Sequence, residues 1–243
     1  MEGESEEGGE EEEEVRRKRR EGRDVFVYCT FSRPFKVDPS TWQVWMEVMK
    51  GVPSSVLMML TWSGDEVEDR AVQSRWKAEA EMAGVNGSRL LFFPLAPFHS
   101  HLRSKSICDL YLDTLPFNGH GTIADTLFAR VPVLTLPGER AHASRLGSAI
   151  ALTAGCPHEA VAMDRRDYVK KGIKLGSDVS AYTRFRASFA FGRVINEEKS
   201  SISRLGNEKV WCDAFEMVAR MRVELAALAR PFLHFHTVAA DRG

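Results

Sequence analysis

The chain has 243 residues, 44% of them hydrophobic, and a formal net charge of −1 at neutral pH. That is enough apolar material for one large domain or two small ones. The near-neutral balance argues against general affinity for nucleic acid or membrane surfaces, and no apolar run approaches the roughly 18 residues of a membrane-spanning helix.

Residues 2–14 are almost wholly Glu, Gly and Ser, and the run Arg16, Arg17, Lys18, Arg19, Arg20 then reverses the sign. Neither block buries apolar area, so 1–24 reads as a disordered charged tail. The basic run reads as a solvated linker in preference to a nuclear localisation signal. Its surroundings lack the apolar core of a signal peptide. Cys29, Cys108, Cys156 and Cys212 lie far apart without a C-x-x-C pair. The expectation is reduced thiols in a cytoplasmic or nuclear protein.

The β-branched and aromatic residues of 25–29 predict a strand. Asp38-Pro39 predicts a helix start, with Asp as the N-cap and Pro at the first helical position. Trp42, Trp45, Met46 and Met49 follow at helical spacing, which assigns them to the core, and Gly51 ends the helix. A continuous apolar run predicts a buried parallel strand over 55–62. A charged helix is expected over 66–83, anchored by Val67, Val72 and Trp76 and stopped by Gly84, and a third strand over 89–93. Beyond the central stretch, the pattern predicts a helix ending at Gly155, a short strand over 158–163, a basic helix over 165–175, a helix over 181–191 and a loop over 197–206. A long amphipathic helix over 208–228, stepped by Trp211, Phe215, Val218, Met221, Leu225 and Leu228, closes a unit of 25–230 before a tail of 231–243. No repeat of 30–50 residues is visible.

The central stretch carries the chemistry. Leu110 and Leu112 alternate as in a strand over 109–113; a Gly-bearing turn follows, then a helix over 122–130 and an apolar strand over 131–136. Strand, loop, helix and strand make a βαβ unit, and the helix N-terminus offers unpaired N–H groups to an anion. Gly119 and Gly121 leave room for close backbone approach. His120 and Thr122 add hydrogen-bonding side chains, and Asp125 suits a sugar hydroxyl. Ala124 stands where a dinucleotide fingerprint has its third glycine, and no P-loop occurs. From the residues alone, a nucleotide-diphosphate cradle and a tight turn without ligand both remain open. The histidine pairs His99/His101 and His234/His236 have no further ligand at metal spacing, so no metal site is expected. Alternating strands and helices predict an α/β, Rossmann-like parallel-sheet lobe.

Leu112-Asp113-Thr114, Asn118-Gly119-His120-Gly121-Thr122, Asp125, Leu127, Pro132, Thr135, Pro137-Gly138-Glu139 and Ala143-Ser144-Arg145 form one long ordered pattern. Val27-Tyr28-Cys29-Thr30-Phe31 and the run from Phe35-Lys36 through Asp38-Pro39-Ser40-Thr41 lie upstream of it. Together they resemble the C-terminal catalytic lobe of the protein O-GlcNAc transferase family, which includes a plant-type O-fucosyltransferase branch. The likeness covers about 25–175 and returns more weakly over 207–221. It implies the C-terminal half of a GT-B glycosyltransferase, an inverting, metal-independent enzyme without cofactor that moves N-acetylglucosamine from UDP-GlcNAc to Ser/Thr of intracellular proteins. By resemblance, Lys36 is the catalytic cation at the diphosphate. His120, Thr122 and the backbone around Asn118, Gly119 and Gly121 hold the phosphates, and Asp125 takes ribose hydroxyls. His101 lies on the uracil, and the Ala96 backbone meets its edge.

Three positions depart from the family pattern: Arg33 replaces a glutamine, Phe98 a lysine and Gly121 a threonine. These changes leave GDP-fucose open as an alternative donor. The family places a further catalytic lobe ahead of this region, where only the Glu-rich stretch stands here. The expectation is therefore a donor-binding lobe completed by a second polypeptide, or a nucleotide-sugar-binding module that performs no transfer.

Overall fold

The computed structural model describes residues 25–60, 65–93, 101, 104–139 and 141–189. The expectations for 1–24, for Ala96 and Phe98, for the loop over 197–206 and helix over 208–228, and for 231–243 lie outside these residues. Five strands, β1 (Phe26–Thr30), β2 (Ser55–Leu60), β3 (Leu90–Phe93), β4 (Leu110–Leu112) and β5 (Val133–Leu134), form one parallel sheet in the order β3-β2-β1-β4-β5. The α-helices among the described residues are α1 (Pro39–Gly51), α2 (Glu66–Met82), α3 (Gly121–Phe128), α4 (Leu146–Thr153), α5 (Arg165–Ser177) and α6 (Val179–Ser188).

Local signals account for most element boundaries. The Asp38 carboxylate accepts from the Thr41 and Ser40 N–H groups at 2.9 and 3.3 Å and caps α1 ahead of Pro39. Gly84 and Gly155 end α2 and α4 with φ of 83° and 80°, a region that favours glycine. Every residue of β2 is buried, as a parallel strand covered on both faces requires. Trp45, Met46 and Met49 lie in the core, while Trp42 packs at 5.9 Å from Trp76, which reaches Phe92 at 6.1 Å. Helix α5 lies close against α1, where a side chain at Gly172 would stand 2.8 Å from Val48. Tyr28 Oη donates to the Gly172 carbonyl at 2.7 Å.

Three expectations are corrected. Val67 is 77% exposed and anchors nothing. At about 100° per residue, the nine positions to Trp76 put it on the opposite side of α2. The strand over 158–163 is a single 3-10 turn, His158–Ala160, followed by one bridge from Val161 to Thr135. Cys29 and Cys108 are not free thiols but are joined as a disulfide, with Cα atoms 5.8 Å apart. Their 79-residue separation in sequence is closed because β4 pairs directly with β1.

The loop after β4 is fastened by Asp113, which is fully buried. Its carboxylate accepts from Gly119 N–H at 2.6 Å, Thr114 N–H at 2.9 Å and Thr135 Oγ1 at 2.6 Å. Its own carbonyl accepts from Tyr168 Oη at 3.0 Å, which ties the loop to α5. Burial pushes the carboxyl up to about 7, against the pull of these donors and of Lys36. A folded pKa above the unfolded value means that the folded chain holds a proton the unfolded chain has released, so this group lowers stability as pH rises from about 4 to about 7. Urea unfolding of wild type and Asp113→Asn across that window should show a wild-type decline, steepest at on the order of 1 kcal/mol per pH unit, that the variant lacks. Parallel pH profiles would refute the assignment.

Candidate functional site: the mouth between β1 and β4

Strand order reverses at β1, whose successor β2 lies on one side while β4 lies on the other. In open α/β sheets the crevice beyond the strand ends at such a reversal is where ligands bind. The segments leaving β1 and β4 carry most of the candidate residues. From β1 the chain passes Arg33 into a single turn, Pro34–Lys36. The Lys36 Nζ reaches across to donate to the Asn118 carbonyl at 3.2 Å and lies 4.2 Å from the centre of the Phe117 ring. Burial lowers the Lys36 pKa, Asp113 opposes that shift, and Arg33 adds to it.

From β4 the chain enters the Asp113 loop and then α3. Here the structure divides the predicted residues into a supporting layer and an exposed rim. The Asn118 side chain is fully buried. Its Nδ2 donates to the Thr114 carbonyl at 2.6 Å, and its Oδ1 accepts from Gly147 N–H at 3.3 Å. Gly119 is also internal: a Cβ there would stand 2.8 Å from Tyr111 Oη and 3.1 Å from Ile123. The missing side chain therefore serves packing against the sheet, not ligand approach. Gly121, the first residue of α3, differs, since a Cβ there would meet nothing within 4 Å among the described residues. His120 precedes the helix without capping it; its ring stacks on Phe117 at 5.1 Å, with Nε2 3.4 Å from the Ala143 carbonyl.

One turn further along α3, Asp125 is partly exposed and stands 3.7 Å from Lys105 Nζ. His101 packs edge-on against Phe31 at 5.2 Å. Burial, and secondarily the Lys105 charge, bring His101 down to about 4, leaving a neutral imidazole near pH 7. The rim thus presents Arg33, Lys36, His120, Gly121, Thr122, Asp125 and His101, with Asn118 and Gly119 beneath it; Ala96 lies outside the described residues. Two contributors escaped sequence reasoning. Phe117 sat unremarked in the turn, and Lys105 falls in Ser104-Lys105-Ser106, where no spacing marks it as buried. A separate groove between α1 and α5, lined by Gln43, Glu47, Arg166, Lys170 and Ile173, includes no residue of this rim. Among the described residues, no three His, Cys, Asp or Glu side chains group as metal ligands.

What this arrangement offers is a cation bonded to the loop that leads into a helix N-terminus, a carboxylate on that helix and a neutral imidazole packed on Phe31. The family model for glycosyl transferase family 41 matches residues 11–211. A UDP-N-acetylglucosamine–peptide N-acetylglucosaminyltransferase of Caenorhabditis elegans is 33% identical over 172 residues, which cover 70% of this chain and 14% of that protein. The probable enzymes of the same name from Arabidopsis thaliana, SEC and SPINDLY, are 31% and 30% identical over 63% and 65% of this chain and 15% and 17% of their own lengths. The chain therefore spans about a seventh of the first of these relatives. Among solved structures, a mutant O-GlcNAc transferase from Thermobaculum terrenum superposes with a TM-score of 0.65 at 25% identity, covering 80% of this chain and 38% of that one. The lipopolysaccharide glycosyltransferase WaaG shares the fold at a TM-score of 0.55 and 15% identity, over 82% and 50% of the two chains. The fold is the α/β, Rossmann-like lobe of GT-B glycosyltransferases. The chain belongs to glycosyl transferase family 41.

Proposed function

We propose that this chain is the donor-binding lobe of a protein O-linked N-acetylglucosaminyltransferase, holding UDP-GlcNAc while the sugar passes to a Ser or Thr hydroxyl of an acceptor protein. The observation that carries the reading is that Lys36 bonds the Asn118 carbonyl, in the loop that leads three residues later into the open Gly121 end of α3, at the strand-order reversal. In this reading the Gly121 and Thr122 N–H groups, the Thr122 hydroxyl and His120 hold the diphosphate, where the helix dipole favours negative charge. Lys36 exchanges the Asn118 carbonyl for a phosphate oxygen. As the acceptor oxygen bonds to the anomeric carbon and its proton passes to solvent, the bond from that carbon to the β-phosphate oxygen breaks and UDP leaves with the electron pair. Lys36 stabilises that growing charge electrostatically, without a metal or cofactor. Arg33 adds a second cation, Asp125 receives ribose hydroxyls, and His101 lies against the uracil with the Ala96 backbone at its edge.

Acceptor recognition requires walls that this lobe alone does not supply, because transfer needs both partners oriented and water excluded. A second lobe, on the same or another polypeptide, completes the site in this proposal. The acceptors are cytoplasmic or nuclear proteins. The departures at Arg33 and Gly121 favour testing GDP-fucose as the rival donor.

Calorimetric titration with UDP, UDP-GlcNAc and GDP decides the matter. UDP should bind in preference to GDP, and Lys36→Ala should weaken it by roughly ten- to a hundredfold, the usual loss for a charge-assisted contact. Preference for GDP would transfer the reading to the fucose branch. No binding to any of these ligands at millimolar concentration would overturn the donor site. The two loop glycines make a second test. Gly121→Val should leave thermal stability nearly unchanged while weakening UDP by at least about tenfold, because the new side chain fills only ligand space. Gly119→Ala should instead destabilise the fold by about 1–3 kcal/mol, because its Cβ meets buried Tyr111. The reverse pattern in melting and titration would refute this division of roles.

A further inference from the structure

Behind the first turn of α3 lies a cation that the donor-site reading does not use. Lys105 is fully buried, although lysine rarely is without a partner. Its Nζ donates to the Thr122 carbonyl at 3.4 Å, stands 3.7 Å from Asp125 Oδ2 and lies 5.3 Å from the centre of the Phe31 ring. The Thr122 carbonyl also accepts from Thr126 Oγ1 at 2.6 Å. Burying an ammonium is expensive, and an apolar side chain of similar length would fill the space without that desolvation. The arrangement is also asymmetric. Lys105 has no solvent exposure, whereas the Asp125 side chain remains 38% exposed and opens toward the rim.

Resting on the nucleotide-sugar reading above, we propose that Lys105 is a positioning residue for nucleoside recognition: it clamps one Asp125 oxygen and the Thr122 carbonyl so that the other Asp125 oxygen is held toward a ribose diol. An aspartate on a helix surface samples several rotamers. The ion pair removes that freedom before the ligand arrives, so less ordering entropy is lost on binding. The contact with Thr122 anchors the ammonium beside the helix, so that its charge stays on Asp125.

Among the described residues, the charged and titratable neighbours of the ammonium are Asp125 on α3 and His101 on the preceding segment. Burial lowers Lys105 to about 8, with Asp125 pulling the other way. The ammonium, and with it the clamp, is present below that pH and lost above it. His101, at about 4, stays neutral through this range.

The test is to titrate the full chain, Lys105→Met and Asp125→Asn with UDP and with 2′,3′-dideoxy-UDP, which lacks the ribose hydroxyls. Wild type should prefer UDP by about tenfold or more, and Asp125→Asn should abolish that preference. Lys105→Met should cut it to about threefold or less while dideoxy-UDP affinity is retained. An unchanged preference in Lys105→Met overturns the positioning role, as does an equal loss for both ligands, which is what a merely structural lysine produces. Wild type that binds UDP with no preference overturns it too. Wild type that fails to bind UDP overturns the nucleotide reading itself, and this proposal with it. Should Lys105→Met not fold, the wild-type ratio measured from about pH 6.5 to about pH 9.5 decides: it should fall as pH passes about 8. The two ligands carry the same base and phosphates, so titration of those groups cancels in the ratio. A ratio independent of pH overturns the proposal.

Discussion

A buried carboxylate at the end of the shortest of the central strands governs how this molecule is arranged. Asp113 has no contact with solvent, and an isolated charge there would be untenable. It is accommodated by three donors from three places: the adjoining Thr114 backbone, Gly119 five residues beyond that, and Thr135 at the end of the next strand. Each bond fixes something that the site needs. The Gly119 bond bends the loop so that α3 begins at the sheet edge. The Thr135 bond holds β5 in register with β4. The Tyr168 hydroxyl on the Asp113 carbonyl brings α5 across the same junction. The cradle is thus rigid because a costly group lies beneath it.

The second organising fact is topological. Reversal of strand order at β1 places the segments after β1 and β4 side by side, although 82 residues separate Lys36 from Asn118. Lys36 therefore comes to the loop as a long-range partner. Its charge rests on a carbonyl and an aromatic face. His120 stacks on the same Phe117 ring.

Features written locally in the chain were legible before any coordinates. Asp38-Pro39 states a helix start in two residues, and Gly84 and Gly155 state helix ends, because caps and positive φ depend on nearest neighbours. The βαβ pattern around Gly121 was legible for the same reason. What escaped notice depends on which distant segments meet. Cys29 and Cys108 look unrelated until β1 and β4 pair. Asn118 and Gly119 read as ligand contacts from their motif, yet their side-chain positions face inward, a distinction that spacing does not encode. Lys105 resembles any surface lysine in a polar run; only the packing of Phe31, His101 and α3 around it makes it a buried charge.

The long separations between partners also bear on how the molecule comes into being. A chain synthesised from its N-terminus exposes β1 and β2 first, and these can pair at once. The switch point can form only after β4 emerges, and Asp113 lacks its Thr135 and Tyr168 partners until the chain extends 22 and 55 residues beyond it, respectively. Contacts this distant demand loop closure before they return any stabilisation, which makes parallel sheets slow to complete. The mouth between β1 and β4 is accordingly among the last parts of the lobe to acquire its shape. During that interval the half-formed sheet, with an apolar central strand open along one side, is the species that a chaperone would have to shield.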